Sequence, residues 1–534
     1  MNPETPPPTC APDRIGGTKK RCSYWLTRFV LLRLLGLVYL TAFLVAAHQI
    51  VPLIGHDGLL PADAFLKKVE LYFGSPSAGF QKLPSIFWWR VTDTWLTNAA
   101  WIGVALSALV TCGYANSLIM LVIWALYMSF VHVGQLWYGY GWETQLLETG
   151  FIAVFLCPLL DPRPFPRMPA PAATLWIYRW LIFRIMLGAG MIKIRGDECW
   201  RDLTALIYHY ETQPVPNPLS RFLHFAPPWV HHLGVIWNHF SELVVPWFAF
   251  SPKVTRNAAG ILMTLFMIAL IFSGNLSFLN WLTIVPCLAC IDDSVWRILL
   301  PARLTQRAEM AEKADSLGSH SKYPNIASGL FLVIVAWLSV QPVQNLFSSK
   351  QAMNASFDTL HLVNTYGAFG TIGRERYEII FEGTDDRSPS ESANWIEYEF
   401  KVKPGDPARR PSFISPYHHR LDWQIWFAAI PSVHYDIRTM PTPQNYPWVV
   451  HFVWKLLHNH SGTLSLLANN PFPERPPRYV RAVLYRYKFT DPAAEAGNWW
   501  IRERVGMWLQ PVSLYTPEFR RFLEANGMVA KDAE

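Results

Sequence analysis

Three cations stand inside one apolar run of this sequence: Arg179, Arg184 and Lys193 fall within residues 174–194. A charge at mid-helix in a bilayer costs roughly 2.5–3.5 kcal/mol on insertion scales, so such groups turn toward a protein interior and pair. Arg179, Phe183, Met186, Gly190 and Lys193 recur at helical spacing and share one face. Gly188, Ala189 and Gly190 leave room for a neighbouring helix to approach closely. The acids available as partners are Glu143, Glu148 and Glu242. Such a polar cluster either fixes helix register through ion pairs or meets a substrate or partner directly. Glu143 and Glu148 are five positions apart, which turns them about 140° from each other on a helix. They are poorly placed for two-carboxylate catalysis.

A second group lies on the polar loop 195–228: Asp197, Glu198, Trp200, Arg201, His209 and Glu211. Acids suit the start of a helix there, and Pro214, Pro216 and Pro218 hold the chain extended. This stiff loop either contacts a protein partner or packs as a lid over the apolar part. His231 and His232 diverge on a helix, and His232 and His239 are two turns apart, so no zinc signature is formed. No metal and no cofactor are expected. The seven cysteines form no disulfide framework, and Cys287 and Cys290 sit in an apolar stretch as packing residues. There is no Gly-x-Ser-x-Gly elbow and no phosphate loop. No catalytic residue is therefore assigned from motifs.

These residues must be positioned by membrane helices. The chain is 51% hydrophobic and only 16% charged, against about 25% charged in soluble domains. Runs near the 20 or so residues needed to span a bilayer occur at 25–52, 93–113, 116–137, 144–161, 174–194, 229–250, 257–273, 278–291 and 325–345. The expectation is an α-helical polytopic membrane protein with eight or nine spans. The net charge of +7 follows the basic loops that orient such helices. No basic cluster marks a nucleic-acid face. With Arg14, Lys19, Lys20 and Arg21 inside, the other inside loops are basic too. The N terminus is then cytoplasmic and the C-terminal part luminal or periplasmic.

The domain reading is a polar tail at 1–22, a bundle at 23–291 carrying the loop 195–228, a charged, serine-rich linker at 292–324, a last span at 325–345 and a soluble domain at 346–534. In that last domain 376–382, 395–401 and 480–489 alternate as strands, while 419–430, 446–468 and 516–525 read as helices. A small antiparallel sheet with helices, an α+β domain, is expected. Its aromatics, among them Trp395, Tyr417, Trp423, Trp426, Trp448, Trp454, Trp499 and Trp500, divide between core and an apolar contact surface. Asn275, Asn354 and Asn459 begin Asn-x-Ser sequons.

Several stretches are specific in detail. They are Tyr138-Gly-Tyr-Gly-Trp-Glu-Thr-Gln-Leu-Leu-Glu-Thr-Gly150, the run from Arg184 through Lys193 and Trp200 to Asp202, Tyr208 to Pro218, Ser273 to Trp281, Tyr398 to Pro407, and Ser415-Pro-Tyr-His-His-Arg-Leu-Asp-Trp423. Together they resemble the lipase maturation factor family from about residue 25 to about 510. The resemblance implies a chaperone-like protein of the endoplasmic reticulum membrane that helps secreted lipases reach their active form; a bacterial chain of this kind would lie in the inner membrane. Client lipases are the partners it implies, with the C-terminal domain as necessary for activity; the lipid bilayer is the partner its apolar runs imply, and the stiff polar loop is the candidate client-facing element. A more distant similarity joins Ala189-Gly190-Met-Ile-Lys193 to vitamin K-dependent carboxylases, in which the matching lysine is a catalytic base. That similarity supplies the alternative, a membrane enzyme using Lys193. A transporter would also suit a midplane charge cluster, but no inverted repeat supports one.

Overall fold

The computed structural model describes residues 23–316, 323–434, 437–493 and 497–529; the expected polar tail at 1–22 and residues 317–322 of the 292–324 stretch lie outside them. The chain is mostly helical with a small C-terminal sheet. Among the described residues, five helices are long and apolar enough to cross a membrane: Trp25–Ile54, Asp93–Cys112, Ala172–Gly196, Lys253–Ser273 and Tyr323–Phe347, the last with a turn at Ser339. Four further expected spans are shorter or broken. Ser117–Val133 and Leu279–Leu288 are shorter apolar helices, and Pro286 lies near the end of the second. Gly141–Leu156 has 16 residues. The 229–250 run is divided into an α-helix, Pro228–His239, a π-turn, Phe240–Val244, and a 3-10 segment, Val245–Phe250, because Pro246 cannot continue the helical hydrogen bonding.

The first helix packs along Asp93–Cys112. Gly36 lies against the Thr111 backbone and Gly103 against the Phe43 ring, closer than a Cβ at either position would allow. Asp293 caps this first helix from a distant segment, accepting from the backbone N–H groups of Trp25, Leu26 and Thr27 at 2.8, 3.0 and 3.0 Å. A carboxylate there matches the positive end of the helix dipole. The stretch expected as a linker carries two helices, Asp293–Leu299 and Ala302–Ser316. Arg297 faces Glu309 and Glu312, each at 3.4 Å, and so joins them.

In the C-terminal domain an antiparallel sheet has the order Ile396–Glu397, Arg376–Thr384, Tyr479–Phe489, Trp500–Val512. Arg376–Thr384 is buried at every position, as a central strand covered on both faces must be. Of the expected 395–401 strand Ile396–Glu397 pairs with Arg376–Thr384, and Phe400 forms a lone bridge to Leu467. The expected helices form at Arg420–Ala429, Pro447–Leu457 with Ser461–Leu464, and Pro517–Ala525. Trp423, Trp448 and Trp500 are core residues, and the other five aromatics singled out are half-buried. This domain is not hung at the end of a tether. One continuous apolar core runs from Leu31 and Tyr127 of the bundle to Phe381, Trp423 and Phe452 of the domain.

Candidate functional site

The polar residues of the bundle gather into separate buried clusters. In the first, Lys193 donates to Glu242 Oε1 at 2.6 Å and to Asn238 Oδ1 at 2.8 Å, and Asn238 Nδ2 donates to Glu242 Oε2 at 3.0 Å. The π-turn widens the helix where Glu242 sits; such bulges often mark functional positions. Gly190 lets the two helices close, with Leu243 and the Glu242 Cβ against it. The Lys193 ammonium also lies 4.8 Å from the Trp200 ring centroid, within cation–π range.

In the second cluster Glu148 takes a close ion pair from Arg184 and accepts from Tyr366 OH at 2.6 Å and from the Asn364 N–H and Nδ2, each at 3.0 Å. Arg184 donates in turn to the Asn364 carbonyl at 2.6 Å. Gly188 sits on the Tyr366 carbonyl, where any side chain would collide. In the third, Glu143 is held by a short hydrogen bond from Tyr127 and by Arg420 at 2.8 Å. Arg420 donates closely to the Trp137 carbonyl and lies over the Tyr138 ring, 3.6 Å from its centroid. Its neighbour His418 stays neutral, far below the usual imidazole range, through burial and then the Arg420 charge.

The sequence offered Glu143, Glu148 and Glu242 as partners for Arg179, Arg184 and Lys193 without saying which acid meets which cation. Arg184 meets Glu148 and Lys193 meets Glu242. Glu143, however, pairs with Arg420 of the C-terminal domain, while Arg179 donates to the Ala289 carbonyl and Tyr24 OH at 3.0 Å each. Arg420 stood within a quoted motif but carried no signal of its partner. A further buried group was also missed. Arg376, Glu378 and Lys403 form a closed triad at 2.5 and 2.9 Å, and Arg376 donates to the carbonyls of Glu211, Gln213 and Pro214. This fastens the proline-rich loop to the sheet.

The loop residues divide accordingly. Glu198 and Arg201 are exposed. Asp197 is half-buried, bonding the Ile372 N–H at 3.0 Å and Arg374 at 2.9 Å. Burial acts against its charge, but the Ile372 and Cys199 N–H groups and Arg374 outweigh it and hold the carboxyl below its ordinary range. Trp200 is buried and donates to the Phe369 carbonyl at 2.8 Å. Glu211 is buried and accepts from the Phe489 N–H at 2.7 Å; burial raises its pKa. His209 is buried against Phe369, with its pKa pushed down to about 4 by burial and then by Lys193. Cys287 and Cys290 are buried free thiols. Among the described residues no group of three or more His, Cys, Asp or Glu could hold a metal ion.

Comparison with known proteins gives this architecture a family. Residues 26–298 match the lipase maturation factor transmembrane domain, and residues 362–510 match the lipase maturation factor C-terminal domain. The chain belongs to the lipase maturation factor family. It is 49% identical to lipase maturation factor 1 of Bos taurus, over 92% of this chain and 90% of that protein. Against lipase maturation factor 1 of Homo sapiens the identity is 47%, over 98% of this chain and 94% of that one. Lipase maturation factor 2 of Rattus norvegicus is 28% identical over 92% and 84%. No solved structure matches the chain. The two family segments meet at the clusters just described: Glu143 and Glu148 lie in the first, Arg420, Asn364 and Tyr366 in the second.

Proposed function

We propose that this chain is a membrane-bound maturation factor that binds secreted lipases and holds their apolar assembly surfaces until the active form is reached, without covalent chemistry. The observation that carries this reading is the 47–49% identity to lipase maturation factor 1 over more than nine tenths of the chain. The fate of Lys193 agrees with it. Lys193 donates to both Asn238 and Glu242 within the bundle, and nothing in its surroundings favours the carboxylase-like alternative. Glu198 and Arg201, exposed on the loop, and the edge strand Trp500–Val512, with Ile501 and Val505 outward, are the surfaces best suited to a client. In this reading the protein resides in the endoplasmic reticulum membrane. The shorter apolar helices join the five long ones to give eight or nine crossings, with the N terminus cytoplasmic and the C-terminal domain luminal.

The test is lipase activity per mass of lipase secreted by cells lacking their own maturation factor. The full chain should raise it well above empty vector. No rise, with the chain present in the membrane, would refute a lipase client.

A further inference from the structure

A cavity of about 590 Å³ lies where the bundle meets the C-terminal domain, within the roughly 300–1,000 Å³ of small-molecule sites. Tyr140, Trp142 and Trp423 give it an aromatic wall, and Ile185 and Ala189 extend the wall along the Ala172–Gly196 helix. The charged groups that border it are already matched. Asp197 pairs with Arg374 at 2.9 Å, Arg376 with Glu378 at 2.5 Å, and Glu375 with Arg486 at 2.9 Å. An ionic ligand would find no unmatched counter-charge here. His209 differs from these neighbours. It is 6% exposed, lines the cavity and packs edge-on against Phe369 at 4.7 Å, and among the described residues its imidazole has no hydrogen-bond partner. A neutral imidazole carries one donor and one acceptor for a ligand.

We propose that this cavity binds a neutral single-chain lipid of the monoacylglycerol class, its hydroxyl head hydrogen-bonded to His209 and its acyl chain laid along the aromatic and aliphatic wall. Neutrality follows from the paired charges, amphiphilicity from a few open polar groups, His209 and the Gln213 side-chain oxygen among them, beside an aromatic and aliphatic wall, and a single chain from the volume. The site is independent of the lipase-maturation reading.

The experiment uses the full chain in phosphatidylcholine nanodiscs and a photoactivatable monoacylglycerol. Saturable cross-linking should map to peptides containing Trp142, His209 or Trp423. Unlabelled monoacylglycerol should compete, and the fatty-acid anion of the same chain length should not. His209→Leu should weaken labelling about tenfold, the equivalent of one hydrogen bond, while His209→Gln, which keeps a donor and an acceptor, should retain most of it. Thr371→Trp, at an exposed position of the wall, should block labelling and carries the test should His209→Leu fail to fold. Labelling that maps elsewhere, is unchanged in these variants, or is competed equally by the anion would overturn the proposal. So would displacement by an extended apolar peptide but not by monoacylglycerol, which would assign the cavity to a polypeptide.

Discussion

Lys193 and Glu143 are both buried charges of the membrane bundle, but their counter-charges come from different places. Lys193 is closed by Glu242 and Asn238, two residues of the same bundle. Glu143 waits for Arg420, 277 positions later in the chain, on the far side of a domain boundary. Glu148 lies between these extremes, paired with Arg184 inside the bundle and completed by Asn364 and Tyr366 from outside it. The difference identifies which part of the bundle is finished on its own and which is finished by the C-terminal domain.

The largest expected effect is at that boundary. Arg420→Met strands a buried carboxylate, which costs about 3–5 kcal/mol. It should lower the thermal midpoint of the purified protein sharply and let protease release the C-terminal domain, while Arg420→Met with Glu143→Gln should recover most of the loss. An unchanged midpoint would break the comparison. Lys193→Met should cost somewhat less, about 3 kcal/mol, since Asn238 still donates to Glu242. It should be rescued by Glu242→Gln and should leave protease release of the domain as in the unaltered chain. Release in both variants would mean that the two clusters are not separate. Tyr366→Phe removes one hydrogen bond to a carboxylate and should cost about 2 kcal/mol, measured by the same denaturation.

Acidity sharpens the contrast further. His209, His361 and His451, all outside the long spans, have pKa values lowered to about 4, in each case first by burial; Lys193 adds to this at His209, and His132, 3.0 Å away, at His361. Unfolded, these imidazoles titrate near about 6.5. Below that pH the unfolded chain takes up protons that the folded chain refuses, so stability falls from about pH 6.5 toward 4 and levels off beneath it. A thermal midpoint independent of pH across that window would refute their neutral burial, and His361→Gln should flatten the slope. The smallest effect is expected at the exposed loop. Glu198→Ala and Arg201→Ala should leave stability within about 0.5 kcal/mol. A fall in secreted lipase activity with unchanged membrane abundance would place the client there, and unchanged activity would move it to the edge strand.

Which of this could be read beforehand follows from the reach of each signal. Cations in an apolar run announce their need for acids, so Glu143, Glu148 and Glu242 could be named as partners of the group, but not which of them meets Arg184 or Lys193. Arg420 lies in a run of Tyr, His and Arg with no periodicity, and nothing local points it at a helix hundreds of residues away. Trp500–Val512, the longest strand, escaped notice because Arg502, Glu503 and Arg504 stand in succession and mask alternation. As a half-exposed edge strand it tolerates them, and charge on an edge discourages unwanted pairing. The two helices at 293–316 were hidden by their polarity, since their apolar face is short: Trp296, Leu300, Ala308 and Ala311 pack against Trp25 and Leu26. The break in the 229–250 run and the π-turn that aims Glu242 were not read, because the run is apolar enough to pass for one span.

Asn275 begins a sequon, yet its side chain is wholly buried. Its Nδ2 donates to the carbonyls of Pro216 and Ser412, and its Oδ1 accepts from the N–H groups of Ile414 and Ser415. Three of those four partners are made after the bundle has emerged during synthesis. In a lumen that attaches sugars, Asn275 is open to the transferase only until residues 412–415 arrive. A glycan there would therefore act as a timestamp, recording molecules whose two halves met too late.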